Sequence, residues 1–267
     1  MDNYQNALKV MKYDFLNLYQ QLDLKDNHKP YVFAGPCAIE SYEQFERVVK
    51  YLLSKGIRTI RAGVYKPRTS PYDFQGLEGE GIRIIESIKK KYEIKVVSEI
   101  VSEKHIGSML DIIDVFQVGT RNMYNYELLK ELGKINKPIL LKRSFAATFK
   151  EFLYAAEYIL LNGNDKIIMC ERGIRTFEKE TRNSLDIACI ALIKKYSNLP
   201  IIVDLSHSLG RKDIVTPIAK AVLQLDIDGI MIEIHPNPHD ALSDVKQQLN
   251  FKEFDDFYSE IHECRNL

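Results

Sequence analysis

Apolar residues fall along this chain in short unbroken runs, separated by longer amphipathic stretches. The runs are YVFAG (31–35), IRTIRAG (57–63), IKVVSE (94–99), DVFQVG (114–119), PILLKR (138–143), KIIMCE (166–171), PIIVDLSH (200–207) and GIMIEIH (229–235). They are apolar nearly throughout instead of alternating, as strands covered on both faces are. Between them, YEQFERVVKYLLSKG (42–56) and FKEFLYAAEYILLNG (149–163) carry helical periodicity and end on Gly, a common helix stop. TRNSLDIACIALIKKYS (181–197) behaves similarly, with a Lys pair near its end. Residues 1–28 read as a polar helix and a connector, and 251–267 as a last helix plus a tail. Strands alternating with helices predict a parallel sheet of the α/β class. At this length the pattern predicts closure into a (β/α)8 TIM barrel over residues 29–267, preceded by an N-terminal extension, 1–28. An open doubly wound sheet is the runner-up. Its dinucleotide fingerprint is missing: the dense glycine cluster GLEGEG (76–81) follows no strand directly and reads as a loop entering a helix.

Composition narrows the function. Lys plus Arg and Asp plus Glu each total 37, a formal net charge of zero in 267 residues. A chain that lives on nucleic acid or anionic lipid shows a basic surplus, so both partners are excluded. The 45% hydrophobic content supports a sizeable core. Cys37, Cys170, Cys189 and Cys264 are widely spaced, so neither a zinc ribbon nor a disulfide framework is indicated. No signal-peptide pattern opens the chain, and no run approaches the roughly 18 apolar residues of a membrane span. The expected setting is a reduced cytoplasm.

In such a barrel the active site lies where the strands stop. The runs end at Cys37; at Arg61 with a loop carrying Lys66, Pro67, Arg68, Thr69 and Ser70; at Glu99; before Arg121; at Lys142 and Arg143; at Glu171 and Arg172; at Asp204, Ser206 and His207; and at Glu233 and His235. Arg61, Lys66, Arg68, Arg121, Lys142 and Arg172 form a cationic set. Like charges crowded at one mouth require an anion, and Arg forks with Lys point charges suit phosphate and carboxylate. The bland alternative for each residue singly is a surface salt bridge. Lys142 could also be a Schiff-base lysine, though its cationic neighbours favour anion binding.

Cys37, His207, Glu233 and Asp244 form a second set, of metal-ligand type. One thiolate, one imidazole and two carboxylates suit a divalent ion of the manganese, iron, cobalt or zinc class better than magnesium or calcium. The four are far apart in sequence, so spacing is weak support: a lone Cys is often a buried filler and a lone His a hydrogen-bonded structural residue. His235, His239 and Asp204 are candidate supporting or substitute ligands; His28, His105 and His262 lie away from the strand ends.

AGPCAIES (34–41), KPRTSPYDFQG (66–76), QVGTRNMYNYELL (117–129), LLKRS (140–144), CERGIRTFE (170–178), DLSHSLGRKD (204–213) and EIHPNPHDALSD (233–244) occur in an order that resembles the 3-deoxy-D-arabino-heptulosonate 7-phosphate (DAHP) synthases, type I beta branch. That superfamily includes 3-deoxy-manno-octulosonate 8-phosphate synthase. The resemblance runs from about residue 30 to 250. It implies condensation of phosphoenolpyruvate with erythrose 4-phosphate and water, the entry to the shikimate pathway. By motif it assigns the metal to Cys37, His207, Glu233 and Asp244, and phosphoenolpyruvate to Arg121, Lys142 and Arg172, with Arg61 and Lys66 close by. The aldose phosphate falls to Lys66, Pro67, Arg68 and Thr69. Lys66 is the candidate proton donor and Glu99 a group that orients water. KPRTS, where octulosonate synthases resemble KANRSS, points to the four-carbon aldose. Leu205 stands where many relatives have Pro. The resemblance further implies a homodimer or homotetramer, and residues 1–28 are too short for the regulatory domain or fused chorismate mutase of many relatives. A catalytically inactive barrel serving as a scaffold is the competing class, disfavoured by the intact ligand set.

Overall fold

The computed structural model describes residues 8–12 and 31–263. Eight parallel strands close into a barrel in sequence order: β1 Tyr31–Gly35, β2 Thr59–Arg61, β3 Lys95–Ile100, β4 Val115–Val118, β5 Ile139–Lys142, β6 Ile167–Glu171, β7 Ile201–Asp204 and β8 Gly229–Glu233. Helices cross between them: α1 Tyr42–Ser54, α2 Gly79–Lys91, the short α3 Ile106–Met109, α4 Tyr126–Leu132, α5 Phe149–Leu161, α6 Ile187–Tyr196, α7 Leu205–Leu209 and α8 Val215–Leu223. The last described helix is α9, Phe251–Glu263. The seam pairs β1 with β8 from Tyr31↔Gly229 to Gly35↔Glu233. This register brings the residues just after β1 beside the end of β8.

Three boundaries differ from the sequence reading. β7 stops at Asp204 instead of running to 207, because the Asp204 carboxylate accepts the His207 N–H at 3.0 Å and starts α7. The stretch 181–197 becomes helical only at Ile187, where Asp186 caps α6 through the Cys189 N–H; before it, Ser184 bridges to Ile174. Within the N-terminal stretch read as one helix, Lys9–Met11 forms a 3-10 turn. It is pinned to α5 by Glu157, whose carboxylate accepts the Lys9 and Val10 N–H groups at 3.0 and 2.8 Å. The rest of residues 1–28 lies outside the described residues, as does Cys264.

Two apolar layers explain why the strands read as unbroken runs. A large cluster fills the space between the sheet and its helices, and includes Val32, Ile60, Val96, Phe116 and Ile139. A smaller cluster fills the barrel itself: Phe33, Val97, Val115, Leu140, Ile168, Cys170, Ile202 and Met231. Side chains of a strand alternate faces. Stepping by two from each inward residue reaches Gly35 and Cys37, Glu99, Gln117, Lys142, Arg172, Asp204 and Glu233. The polar rim is therefore the top of the barrel's interior column.

Candidate active site and metal centre

The same alternation separates neighbours that the sequence groups together. Arg143 follows Lys142 and so faces outward, where its Nη1 pairs with Glu171 at 2.9 Å and Asp186 at 2.7 Å. Its Nε and Nη2 donate to Ala147 O. Glu171, beside Arg172, is likewise outward and buried. Both are strand ends whose charges are consumed in the wall, and neither lines the mouth.

Three of the four predicted donors group together at the mouth beside β1 and β8, and the fourth, His207 at the start of α7, stands next to two of them. One ligand atom each from Cys37, Glu233 and Asp244 lies within 4.8 Å of the others. Cys37 Sγ is 3.3 Å from Asp244 Oδ2. His207 Nε2 stands 3.5 Å from Glu233 Oε1 and 3.7 Å from Asp244 Oδ2. His207 Nδ1 sits 2.8 Å from Asp204 Oδ2. Asp204 is held ionised well below the usual carboxylate range: burial opposes this, but His207 and Lys142 outweigh it. It can only accept, so the 2.8 Å approach of Nδ1, although not aligned as a hydrogen bond, favours the proton on Nδ1 and leaves Nε2 facing two carboxylate oxygens. Burial pushes the His207 pKa down to about 4, against its acidic neighbours, so the ring is neutral near pH 7. Glu233 Oε1 is buried and accepts no aligned hydrogen bond, although Arg61 Nη1 lies 2.9 Å away. Lone pairs converging in this way fit a cation between them, and a soft–hard donor set fits a transition ion or zinc.

Burial, and then the charge of Glu233, raise the Cys37 thiol to about 12. Glu233 and Asp244 are both held below the usual range; burial works against this, and His207 leads the opposing interactions in each case. Asp244 also has positive φ (+50°), a conformation that Asp tolerates better than most residues. Gly35 makes room for the set: a Cβ there would stand 2.0 Å from Arg61 O. This close approach of β1 and β2 brings Arg61 against Glu233.

Beside the donors lies a cavity of about 170 Å³, lined by Lys66, Arg68, Arg121, Lys142 and Arg172 together with Pro67, Thr69 and Glu99. Two of these cations are paired, Lys142 with Asp204 at 2.5 Å and Arg68 with Asp73 at 3.3 Å. Lys66, Arg121 and Arg172 have no carboxylate at ion-pair distance among the described residues. Lys66 Nζ donates to Cys37 O at 3.3 Å, and Arg121 Nη2 donates to Thr69 Oγ1 at 3.2 Å. Burial works against the Lys66 charge, yet Cys37, Glu233 and Glu99 keep its pKa above the ordinary value. Arg172 is 2% exposed, and its desolvation lowers the guanidinium to about 10. A buried cation without a counter-charge is costly, and it marks the place of an anion. Arg61 lies beneath the cavity, against Glu233. Glu99 accepts from Gln117 Nε2 at 3.3 Å and stands over Gly119, where a Cβ would come within 1.9 Å of its Oε1.

Several participants escape the sequence reading. Phe145 lies under the guanidinium groups of Arg175, Arg172 and Arg121, at 4.3, 4.7 and 5.7 Å from the ring centre. Arg182 reaches Asp244, and Gln247 reaches Glu233. Phe145, Arg182 and Gln247 all sit in loops without periodic signal. The two substitute histidines do not join the donors. His235 Nε2 is 3.3 Å from Glu40. His239 lines a separate, larger cavity of about 560 Å³ with Lys212, Lys246 and Phe251. Of the set-aside histidines, His105 stacks on Tyr65 and His262 packs edge-on to Tyr258; His28 lies outside the described residues.

The family model of the DAHP synthetase I family matches residues 19–267. The chain belongs to this family. It is 47% identical over 230 residues to the phospho-2-dehydro-3-deoxyheptonate aldolase of Thermotoga maritima, which covers 86% of this chain and 68% of that one. A crystal structure of that Thermotoga maritima DAHP synthase superposes with a TM-score of 0.86 at 45% identity, over 90% of this chain and 70% of that one. A 2-dehydro-3-deoxyphosphooctonate aldolase of Acidithiobacillus ferrooxidans is more distant, 26% identical over 81% of this chain and 83% of its own. As a member of the DAHP synthetase I family the chain is an enzyme, and its barrel is the family's barrel.

Proposed function

We propose that this enzyme condenses phosphoenolpyruvate with erythrose 4-phosphate and water, releasing phosphate, as the first step of the shikimate pathway, and that it depends on a divalent metal held by Cys37, His207, Glu233 and Asp244. The supporting observation is the close group of Cys37, Glu233 and Asp244, with His207 against both carboxylates, beside a cavity in which Lys66, Arg121 and Arg172 lack carboxylate partners among the described residues. We further read residues 29–267 as the catalytic unit, 1–28 as an extension, the setting as cytoplasmic and the assembly as a homodimer or homotetramer. No helix among the described residues is long and apolar enough to cross a membrane.

In this reading Arg121, Lys142 and Arg172 hold the phosphate and carboxylate of phosphoenolpyruvate, with Lys66 near and Arg61 beneath. Arg68 and Thr69 receive the phosphate of the aldose, and Pro67 stiffens their loop. Carbon three of the enol attacks the aldehyde carbon, water adds at carbon two, and the resulting phosphohemiketal expels phosphate. When bound, the metal supplies Lewis acidity toward the aldehyde. Lys66, protonated in the buried site, delivers a proton to the aldehyde oxygen. Glu99 orients the water, and Gly119 sets its position. The wall of the cavity limits bulk water, which strengthens the contacts to anions.

The test is phosphate release from phosphoenolpyruvate with either erythrose 4-phosphate or arabinose 5-phosphate, on protein stripped by a chelator and then given manganese, iron, cobalt or zinc. Turnover of the four-carbon aldose only after metal is restored is expected. Preference for the five-carbon aldose would replace the reading by octulosonate synthesis, and full activity without metal would remove the metal role.

A further inference from the structure

Two adjacent glutamines lie behind the donor set, Gln247 at 4% and Gln248 at 0% exposure. A buried carboxamide must satisfy an acceptor end and a donor end, and both residues do so on the donors or their immediate neighbours. Gln248 Oε1 accepts the Cys37 N–H at 3.1 Å, and its Nε2 donates to Ser243 O at 2.8 Å. One side chain thus spans from the residue carrying the thiol to the residue preceding Asp244. Gln247 Nε2 donates to Glu233 Oε2 at 2.5 Å, while its Oε1 accepts from Arg182 Nη1 at 2.9 Å. That same nitrogen lies 3.4 Å from Asp244 Oδ1.

The consequence is a division of oxygens. Glu233 Oε2 is committed to Gln247, which leaves Oε1 to face His207 Nε2 at 3.5 Å and Arg61 Nη1 at 2.9 Å. Asp244 Oδ1 faces Arg182, which leaves Oδ2 toward Cys37 and His207. The Gln247 N–H donates to Asp244 O at 3.2 Å and closes the turn in which Asp244 holds positive φ. A carboxylate could not replace either amide. Glu at 247 would face Glu233 as a like charge, and Glu at 248 could not donate to Ser243 O.

We propose that Gln247 and Gln248 are positioning residues for the metal centre: Gln247 fixes Glu233 as a one-oxygen ligand, and Gln248 sets the separation of Cys37 and Asp244. The inference rests on the metal-site reading above. It is tested by titrating cobalt(II) into chelator-stripped full-length protein and recording the thiolate-to-cobalt absorption, the d–d bands and the affinity against a competing chelator. The wild type is the control for the underlying reading; if it shows no thiolate band, the metal site itself is refuted. Gln247→Glu and Gln248→Glu are compared with Gln247→Met and Gln248→Met, which remove the hydrogen bonds without adding charge and serve alone if the Glu variants do not fold. Affinity is expected to fall by about 10- to 100-fold. Gln247 variants should change the d–d bands, and Gln248 variants should weaken the thiolate band. Folded variants that differ from wild type only in melting temperature, with unchanged cobalt affinity and spectra, would overturn the proposal.

Discussion

Protonation is decided residue by residue in this site, and it yields a proton count. Near pH 7 Cys37 is a thiol, pushed up to about 12, while His207 is already neutral and Glu233 and Asp244 are already ionised. Loading a metal should then release about one proton per ion, all of it from Cys37. Calorimetry of metal binding in two buffers of different ionisation enthalpy measures that number; a value near zero or two would contradict the assignment. Arg172 gives a second prediction. Its guanidinium is buried without a carboxylate at ion-pair distance among the described residues and lies over the Phe145 ring. Arg172→Met should leave the melting temperature equal or higher, because a desolvated unpaired charge is removed at similar volume. It should lower kcat/KM for phosphoenolpyruvate by about 100-fold, the scale of a lost charge-assisted contact. A drop in melting temperature with unchanged kinetics would make Arg172 a structural residue instead.

At the scale of elements, Asp204 joins a strand, a helix and two functional groups. It caps α7 through the His207 N–H, and one of its oxygens meets both Lys142 Nζ and His207 Nδ1. Asp204→Asn keeps the capping chemistry, since Asn caps about as well as Asp. It removes the charge between two buried groups, so metal-free protein should lose about 3 kcal/mol, the scale of leaving one member of a buried pair unmatched. Denaturant unfolding reads this directly, and a loss under about 1 kcal/mol would show that the cap is the main role. The strands and their order were legible because strands covered on both faces appear as continuous apolar runs. The same continuity hid which strand-end residues face inward. With Val, Ile and Leu on both faces, nothing in LLKR or MCER distinguishes Lys142 from Arg143 or Arg172 from Glu171. Only the packing of Leu140 and Ile168 inside the barrel sets that parity. The four donors were legible by type, but Gln247, Gln248, Arg182 and Phe145 act from loops, where no period marks a facing residue.

For the molecule as a whole, the shifted groups set a pH window for the metal-free fold. His207 is depressed from an ordinary 6.5 to about 4, so its contribution is complete above 6.5 and is lost as pH falls toward 4. Asp204, Glu233 and Asp244, also depressed, lose theirs at lower pH still. Glu171, raised by burial against its Arg143 partner, acts in the opposite sense. Cys37 and Cys189 are raised from 9.0 to about 12, and Cys170 is raised as well, mainly by burial, so their contribution is complete below 9 and fades as pH rises beyond it. Stability of the stripped protein should therefore be broadly level between about pH 6.5 and 9 and decline on either side. Urea midpoints across pH 4 to 10 check this; a midpoint that rises as pH falls from 6.5 to 4.5 would contradict it. The zero net charge of the chain conceals an uneven layout, with cations gathered at one end of the barrel beside their own acids.

Closure of the sheet also constrains how this molecule can meet another. Each of the eight strands has a partner on both sides, so none offers an open row of N–H and C=O groups for a further chain to extend. Growth by strand addition to the barrel is shut out, and so is the runaway edge-to-edge stacking that open sheets must guard against. Among the described residues, contacts with a further chain fall to side chains of the helical shell and the loops at the barrel's ends. Surface substitution can then alter such contacts while the eight-stranded framework beneath the chemistry stays the same.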